Sequence, residues 1–447
     1  MNRDTIAAIA TATGVASISI VRVSGPLALE IAKKITKKDN FTPRYAILRD
    51  LYNRDNELID RGIVIYFKAP YSFTGEDIVE FQTHGGYAIA QEILETTIYY
   101  GARLAQPGEF SKRAFINGKI DLSEAEAIAK IIESKSIDGA KILAKQLKGE
   151  LRRFVEESRE LLLEILAYSE VMIDYAEEDI PSDLILSIKS KIESLRDKLE
   201  ELLEGSIRRK GLIEGFELAL IGRPNVGKSS ILNRLLNYER AIVSDIAGTT
   251  RDTIEESIKI GTHLIRIVDT AGIREAKDKI EAIGVERSLE KMENADLAVV
   301  IFDGSSPLLK EDREILEKLK EYNKEKVIVV VNKSDLVQKI EIDELREFNP
   351  IFISAKKSIK PLLEAIEKKI EDLSWGDDLL LVSSRQIEAV SKTIDALNSS
   401  LEPLEREELE LFSYHIQEAI ENITSISKPF NYEELLDKIF GEFCLGK

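Results

Sequence analysis

The densest run of chemically useful residues is Gly222-Arg-Pro-Asn-Val-Gly227-Lys228-Ser229. Its pattern, G-x-x-x-x-G-K-S, describes a loop whose backbone N–H groups curl around phosphate oxygens. Lys228 can reach the outer phosphates, and the Ser229 hydroxyl is placed to hold Mg²⁺. Four short boxes follow in chain order. Gly248-Thr-Thr-Arg-Asp252 offers a threonine that completes a Mg²⁺ shell only when a γ-phosphate is present. Asp269-Thr-Ala-Gly272 supplies a carboxylate for Mg²⁺ through water and a glycine N–H for the γ-phosphate. Asn332-Lys333-Ser-Asp335 ends in a carboxylate able to accept both hydrogen bonds from the N1–H and N2–H₂ edge of guanine, donors that adenine lacks. Ser354-Ala355-Lys356 would back the base. Each pattern alone is weak. In this order they describe a guanine-nucleotide site, and the chemistry is GTP hydrolysis.

One position departs from that pattern. Ras-like enzymes carry a glutamine just after the Asp-x-x-Gly box to orient the attacking water. Ile273 stands there, and an aliphatic side chain cannot do that work. Glu275, Asp278 and Glu281 are the nearby acids that could replace it. An arginine finger supplies about 10³–10⁵ in rate elsewhere. A monovalent cation beside the β- and γ-phosphates could neutralise the same developing charge.

The elements that must position these boxes follow from the apolar pattern. The runs 218–221, 264–268, 297–302 and 327–331 read as buried strands, with a helix over 230–236 after the phosphate loop. Their alternation with helical patterns over 215–374 predicts a Ras-like, parallel-rich sheet with helices on both faces. Residues 1–118 read as an α+β domain, with strands at 16–23, 62–67 and 78–83 and helices at 27–34 and 88–99, the second opened by His84-Gly85-Gly86. Its loops 71–77 and 106–119 are dense in special residues, and Lys112, Arg113 and Lys119 could meet an anion. From 119 to 214 the pattern turns helical. Ser123 with Glu126 reads as a capping box, helices are expected over 151–171 and 184–203 with Pro181 between, and Arg208-Arg209-Lys210 before Gly211 reads as a hinge. Residues 375–447 are helical again. The expected fold is therefore multidomain α/β, with the GTPase module inserted in an all-α domain.

Composition bounds the partners. The chain has 447 residues and a formal charge of −18, whereas a protein that holds RNA through its own phosphate contacts is usually basic. RNA would need a partner or a local patch. Residues 376–447 hold 15 Asp/Glu against 6 Lys/Arg, which reads as solvated helix faces. One cysteine, Cys444, excludes an intramolecular disulfide and fits a reducing compartment. Residues 5–21 are uncharged but rich in Ala, Thr and Ser, so they read as neither a signal peptide nor a span. A cytoplasmic protein without membrane attachment is expected.

Beyond the GTPase boxes, several runs carry a resemblance. They are Ile20-Val-Arg-Val-Ser-Gly25, Ser72-Phe-Thr-Gly-Glu-Asp-Ile-Val-Glu80, His84-Gly-Gly86, Pro107-Gly-Glu-Phe110, Arg113-Ala-Phe-Ile-Asn-Gly-Lys119 and the terminal Phe443-Cys-Leu-Gly-Lys447. Over essentially its whole length the chain resembles the bacterial tRNA-modification GTPases of the MnmE (TrmE) family. That resemblance implies an N-terminal domain that binds a tetrahydrofolate derivative, the 5-formyl or 5,10-methylene form, as one-carbon donor. Arg22, Glu80, Lys119 and Lys447 would line its site. It further implies GTP contacts from Asn225, Val226, Gly227, Lys228, Ser229, Ser230, Ser244, Thr249, Thr250, Asp269, Gly272, Asn332, Lys333, Asp335, Ser354 and Ala355. Mg²⁺ would be held by Ser229 and Thr250, and K⁺ by Asn225, Ser244, Ile246 and Thr249. Glu281 would be the general base acting through water. The implied assembly is a homodimer whose G domains meet in hydrolysis. With the FAD-dependent MnmG (GidA) it would form a heterotetramer that adds an aminomethyl-type group (carboxymethylaminomethyl) at C5 of the tRNA wobble uridine. A regulatory or ribosome-assembly GTPase with scaffold domains would share the nucleotide boxes; the N-terminal loops and Lys447 separate the two readings.

Overall fold

The computed structural model describes residues 4–12, 14–134, 136–174, 182–238, 256–267, 295–374 and 379–428, with 436, 440, 441, 443 and 446 of the tail. The chain divides into two compact units: residues 1–129, 149–185 and 395–447 form one, and residues 130–148 with 186–394 form the other.

The first unit is built on a six-stranded sheet. Its strands are β1 (Thr5–Ile9), β2 (Ile18–Ser24), β3 (Ile47–Tyr52), β4 (Leu58–Phe67), β5 (Ile78–His84) and β6 (Ala102–Leu104), in the order β3-β4-β5-β2-β1-β6. All neighbours are antiparallel except β1 and β6. Strand side chains alternate between faces. Val21, Val23, Val79 and Phe81 point to one face and are covered by Ile31, Ile35 and Ile93 of the helices Ala28–Thr36 and Tyr87–Tyr99. Arg22 and Glu80 therefore lie on the other face, where Ile6 and Ala8 pack with Phe110. At the start of β2 Ser19 is buried and Ile18 exposed, because Val21 and Val23 set the register.

Helical elements complete this unit. The helix Glu150–Asp174 runs beside Leu409–Ser425, joined by the Ser169 and Ser413 hydroxyls at 2.8 Å. Leu436 and Phe440 of the tail pack against Leu122 and Ala125, with Phe115 and Phe443 at the margin. The helix Leu122–Glu133 corrects the expected cap. The Asp121 carboxylate accepts from Glu124 N–H at 2.8 Å, and Asp121 N–H donates to the Glu124 carboxylate at 2.8 Å. The box is Asp121 with Glu124 rather than Ser123 with Glu126, since aspartate caps as well as serine and sits one residue before the first turn.

The second unit holds the nucleotide module. Strands β7 (Phe216–Ile221), β8 (Glu256–Ile260), β9 (His263–Ile267), β10 (Leu297–Asp303), β11 (Val327–Asn332) and β12 (Ile351–Phe352) form a sheet ordered β12-β11-β10-β7-β9-β8. Only the β8–β9 hairpin is antiparallel. Every residue of β10 and β11 is buried, as expected for strands covered on both sides. One face packs on the helices Lys228–Tyr238 and Lys360–Ser374, the other on Lys310–Glu321. In the basic run 208–210 the helix Ser182–Arg209 takes in Arg208 and Arg209 and ends before Lys210, and Arg209 is buried with its Nε donating to the Gly205 carbonyl at 3.0 Å. Without a Cβ, Gly205 leaves room for that guanidinium. No described helix is long and apolar enough to cross a membrane.

Candidate functional site

Strand β7 ends at Ile221 and the helix starts at Lys228 (Lys228–Tyr238), so the loop of six residues between them is the phosphate cradle. Two of its glycines have backbone conformations that side chains rarely adopt, with φ of 151° at Gly222 and 105° at Gly227. A Cβ at Gly222 would lie 2.4 Å from the Ile301 carbonyl, and one at Gly227 would lie 2.2 Å from Asn332 Nδ2. Asn225 also takes a positive φ, 65°, which asparagine tolerates. Lys228 Nζ crosses the loop to the carbonyls of Gly222 (2.6 Å) and Arg223 (2.9 Å). Ser229 and Ser230 are exposed on the first helical turn, which carries no acid. A helix start of that kind suits an anion. The chemistry of this cradle fits a Mg²⁺-nucleotide.

The guanine box is wired directly to that loop. Asn332 is 2% exposed; its Nδ2 donates to the Val226 carbonyl at 2.8 Å and its Oδ1 accepts from Ala355 N–H at 3.0 Å. One side chain thus joins the phosphate loop, β11 and the Ser354-Ala355 loop. Lys333, at φ 63°, donates to the Asn225 carbonyl (3.0 Å) and to Asp303 (2.6 Å). Burial opposes the charge on Asp303, but Lys333 and Ser305 outweigh it and hold the carboxyl below the usual aspartate range. Asp335 is exposed, and the neighbouring Ser354 hydroxyl, with Lys356 and Lys357 adding, holds its carboxyl low. The Ser354 Oγ makes no fully formed hydrogen bond of its own. An ionised, open Asp335 is the acceptor that a guanine edge requires.

Asp303 and Arg223 belong to this site, and the motifs did not announce them. Arg223 donates to buried Asp312 (2.8 Å) and to Ser306 (2.7 Å), pinning the loop to the start of the helix Lys310–Glu321. The signal for Asp303 was present, because an apolar run ending in Asp-Gly beside the guanine-box strand is a natural partner for Lys333. Ser244, Ile246, Thr249, Thr250, Asp269, Gly272 and Glu281 lie outside the described residues.

On the open face of the first sheet, Arg22 and Glu80 are cross-strand partners in the β2–β5 ladder and form an ion pair at 2.9 Å. The Arg22 guanidinium lies 6.0 Å from the ring centre of Phe73 and 5.7 Å from that of Phe110. Lys119 lies against the 71–77 loop, which carries Phe73. Its stem passes over Gly75, whose missing Cβ would otherwise stand 3.0 Å from Lys119 Cε. The side chain of Asn117 donates to the Thr74 carbonyl at 2.7 Å and fixes the same loop. Lys447 lies outside the described residues. Gly446, one position earlier, abuts the Ile9 carbonyl and Ala10, at the end of the strand whose Ala8 pairs with Arg22.

Arg113 proves to be structural. It reaches Asp4 (2.7 Å), Glu76 (3.1 Å) and Glu109 (3.0 Å), and Arg103 holds the same Glu109 at 2.6 Å. Its charge is spent inside the fold and does not face an anion. Burial raises the Glu109 carboxyl, but Arg103, the Gln106 N–H and Arg113 outweigh it and leave it below the usual glutamate value. A depressed carboxyl contributes stability above its unfolded pKa and loses it as pH falls through the folded one. The unfolding midpoint of the intact protein is therefore expected to drop as pH falls below about 4.5. Glu109→Gln should cost about 3 kcal/mol at neutral pH and flatten that acid limb. Equal acid limbs by circular dichroism would remove Glu109 from the account.

Known proteins resemble this chain along its length. The family model described as "GTP-binding protein TrmE N-terminus" matches residues 5–119, and the one described as "MnmE helical domain" matches residues 122–444. A tRNA modification GTPase MnmE from Sulfurovum sp. (strain NBC37-1) is 60% identical over 445 residues, covering 100% of this chain and 99% of that protein. Its namesake from Sulfurimonas denitrificans is 57% identical over 448 residues, with 100% of each covered. Among solved structures, Era in complex with MgGDPNP and 16S ribosomal RNA nucleotides is 31% identical, covering 40% of this chain and 66% of that one at a TM-score of 0.27.

Proposed function

Because the chain belongs to the tRNA modification GTPase MnmE family, a family of GTP-hydrolysing enzymes, we propose that it couples GTP turnover to one-carbon chemistry on the tRNA wobble uridine. In this reading Ser229 and Thr250 hold Mg²⁺, which neutralises phosphate charge. Asn225, Ser244, Ile246 and Thr249 hold K⁺ as two G domains meet. Lys228 leaves its loop carbonyls for the outer phosphates, Asp335 reads guanine, and Glu281 takes the proton of the attacking water through a second water. Arg22, Glu80, Lys119 and Lys447 hold a tetrahydrofolate derivative. Glu80 suits the donor edge of the pterin, the exposed Phe73 ring suits its face, and the cations suit the glutamate tail. A cytoplasmic homodimer, working with the FAD-dependent MnmG on tRNA, would complete the modification of C5.

The observation that carries this reading is the return of the tail to the opening sheet, with Gly446 against Ile9 and Ala10 beside the Arg22–Glu80 pair. It supports a composite pocket that uses both ends of the chain. Calorimetry on the intact protein should show 5-formyl-tetrahydrofolate binding that weakens at least tenfold in Lys119→Ala, with GTP affinity unchanged. No binding by the intact protein would leave the opening domain a scaffold and return the regulatory GTPase reading.

A further inference from the structure

A chain of net charge −18 that acts on tRNA needs a local place for phosphates. Residues 130–153 carry seven Lys/Arg against three Asp/Glu. Within them the helix Ile137–Gln146 and the residues just after it set out Lys141, Lys145 and Lys148 at steps of four and three, which places them along one face. At the helical rise the row spans about 10 Å. Lys141 and Lys148 are exposed and Lys145 is half-buried. Asp138, the acid at the row's beginning, has both oxygens engaged, one by Lys141 at 2.9 Å and the other by Thr262 at 2.6 Å. The second bond ties this helix to the turn of the β8–β9 hairpin.

A solvated helix face would end there. This one borders a cavity of about 500 Å³, lined by the three lysines, Ile142, Leu212 and His263 among others. That volume lies within the range that holds a small organic ligand. Ile142, Leu212 and His263 are 8%, 3% and 7% exposed, so they form a packed, largely apolar wall. His263 stands edge-on to Phe216 at 6.0 Å, its Nδ1 is buried without a hydrogen-bond partner, and burial lowers its pKa so that the ring stays neutral. Single-stranded RNA is recognised by this pairing of chemistries, cations along the backbone and a flat apolar recess for an unstacked base.

We propose that Lys141, Lys145 and Lys148, with the cavity beside them, form a contact for single-stranded RNA in the tRNA substrate, a proposal that rests on the tRNA reading above. The phosphates run along the lysine row and one unstacked base enters the recess. The test measures binding of tRNA to the full-length protein across a salt series. Each lost phosphate contact lowers the slope of log K against log salt by about 0.7. Lys145→Ser with Lys148→Ser should therefore weaken binding roughly 25-fold at 0.1 M salt, converging on the parent toward 1 M. Ala144→Trp, which fills the recess from an exposed helix position, should weaken binding at every salt with the slope unchanged. GTP hydrolysis should stay at the parent rate in both. Lys318→Ser with Lys320→Ser, on the helix Lys310–Glu321, should change neither quantity. Parent-like affinity and slope in the Lys145/Lys148 variant would overturn the proposal, as would an intact protein that holds no tRNA at any salt. Wobble-uridine modification in cells carrying only these variants is read separately. If it proceeds while the binding result is negative, the site is wrong and the family reaction stands.

Discussion

Asp335→Asn is expected to lower GTP affinity on the order of 10³-fold and to raise affinity for xanthosine triphosphate. Guanine offers two N–H donors to the carboxylate; xanthine carries a carbonyl where guanine has its amine. An asparagine amide can donate to that carbonyl, and an aspartate cannot. Enclosed sites of this type discriminate by roughly 10⁴–10⁵. Asp335 is exposed, so the smaller figure is set for it. The substitution should leave the fold intact, because the structural ties of this region run through Asn332 to Val226 and Ala355 rather than through Asp335. Fluorescent-nucleotide titration reads both affinities. A variant that still prefers GTP would mean that Asp335 does not touch the base.

The nucleotide half of the molecule was legible because its physics is repetitive. Strands buried on both faces must be continuous apolar runs, so β7, β10 and β11 stood out, and the phosphate loop and the guanine box sit at the carboxyl ends of β7 and β11. The opening domain was harder. β1 reads Thr-Ile-Ala-Ala-Ile and has weak strand propensity, yet it is almost wholly buried; it is a strand because β2 and β6 flank it. β6 is three residues long, and β3 carries adjacent charges, Arg49 and Asp50, on an edge. β8 and β12 were missed for similar reasons of charge and length. Arg113 and Arg209 show the other limit. A basic residue in a polar run reads as surface, and only the fold reveals that Glu76, Glu109 and Asp4 enclose the first and that the second lies over Gly205. The Arg22–Glu80 pair was reachable only through the family resemblance, since residues 58 apart share a ladder rung once the register is known.

Glu281→Ala is expected to cut kcat by about 10²–10⁴ while GTP affinity stays within about twofold. Ile273 takes the place of the water-orienting glutamine, and its side chain has no polar atom to offer. In the proposed reading the Glu281 carboxylate acts on the water instead, and a group that acts only on the water contributes to the transition state without adding to ground-state binding. Turnover compared in K⁺ and in Na⁺ at equal ionic strength separates the base from the cation. On the proposed K⁺ site the parent should be faster in K⁺, because an ion of that size there would supply the charge that an arginine finger supplies elsewhere. The variant should keep that preference on a much slower rate, since the cation stabilises developing phosphate charge whether or not the water is activated. If the substitution instead costs affinity and rate together, Glu281 is holding the nucleotide-binding conformation. The base would then have to be sought at Glu275 or Asp278, the other acids within reach of the same segment.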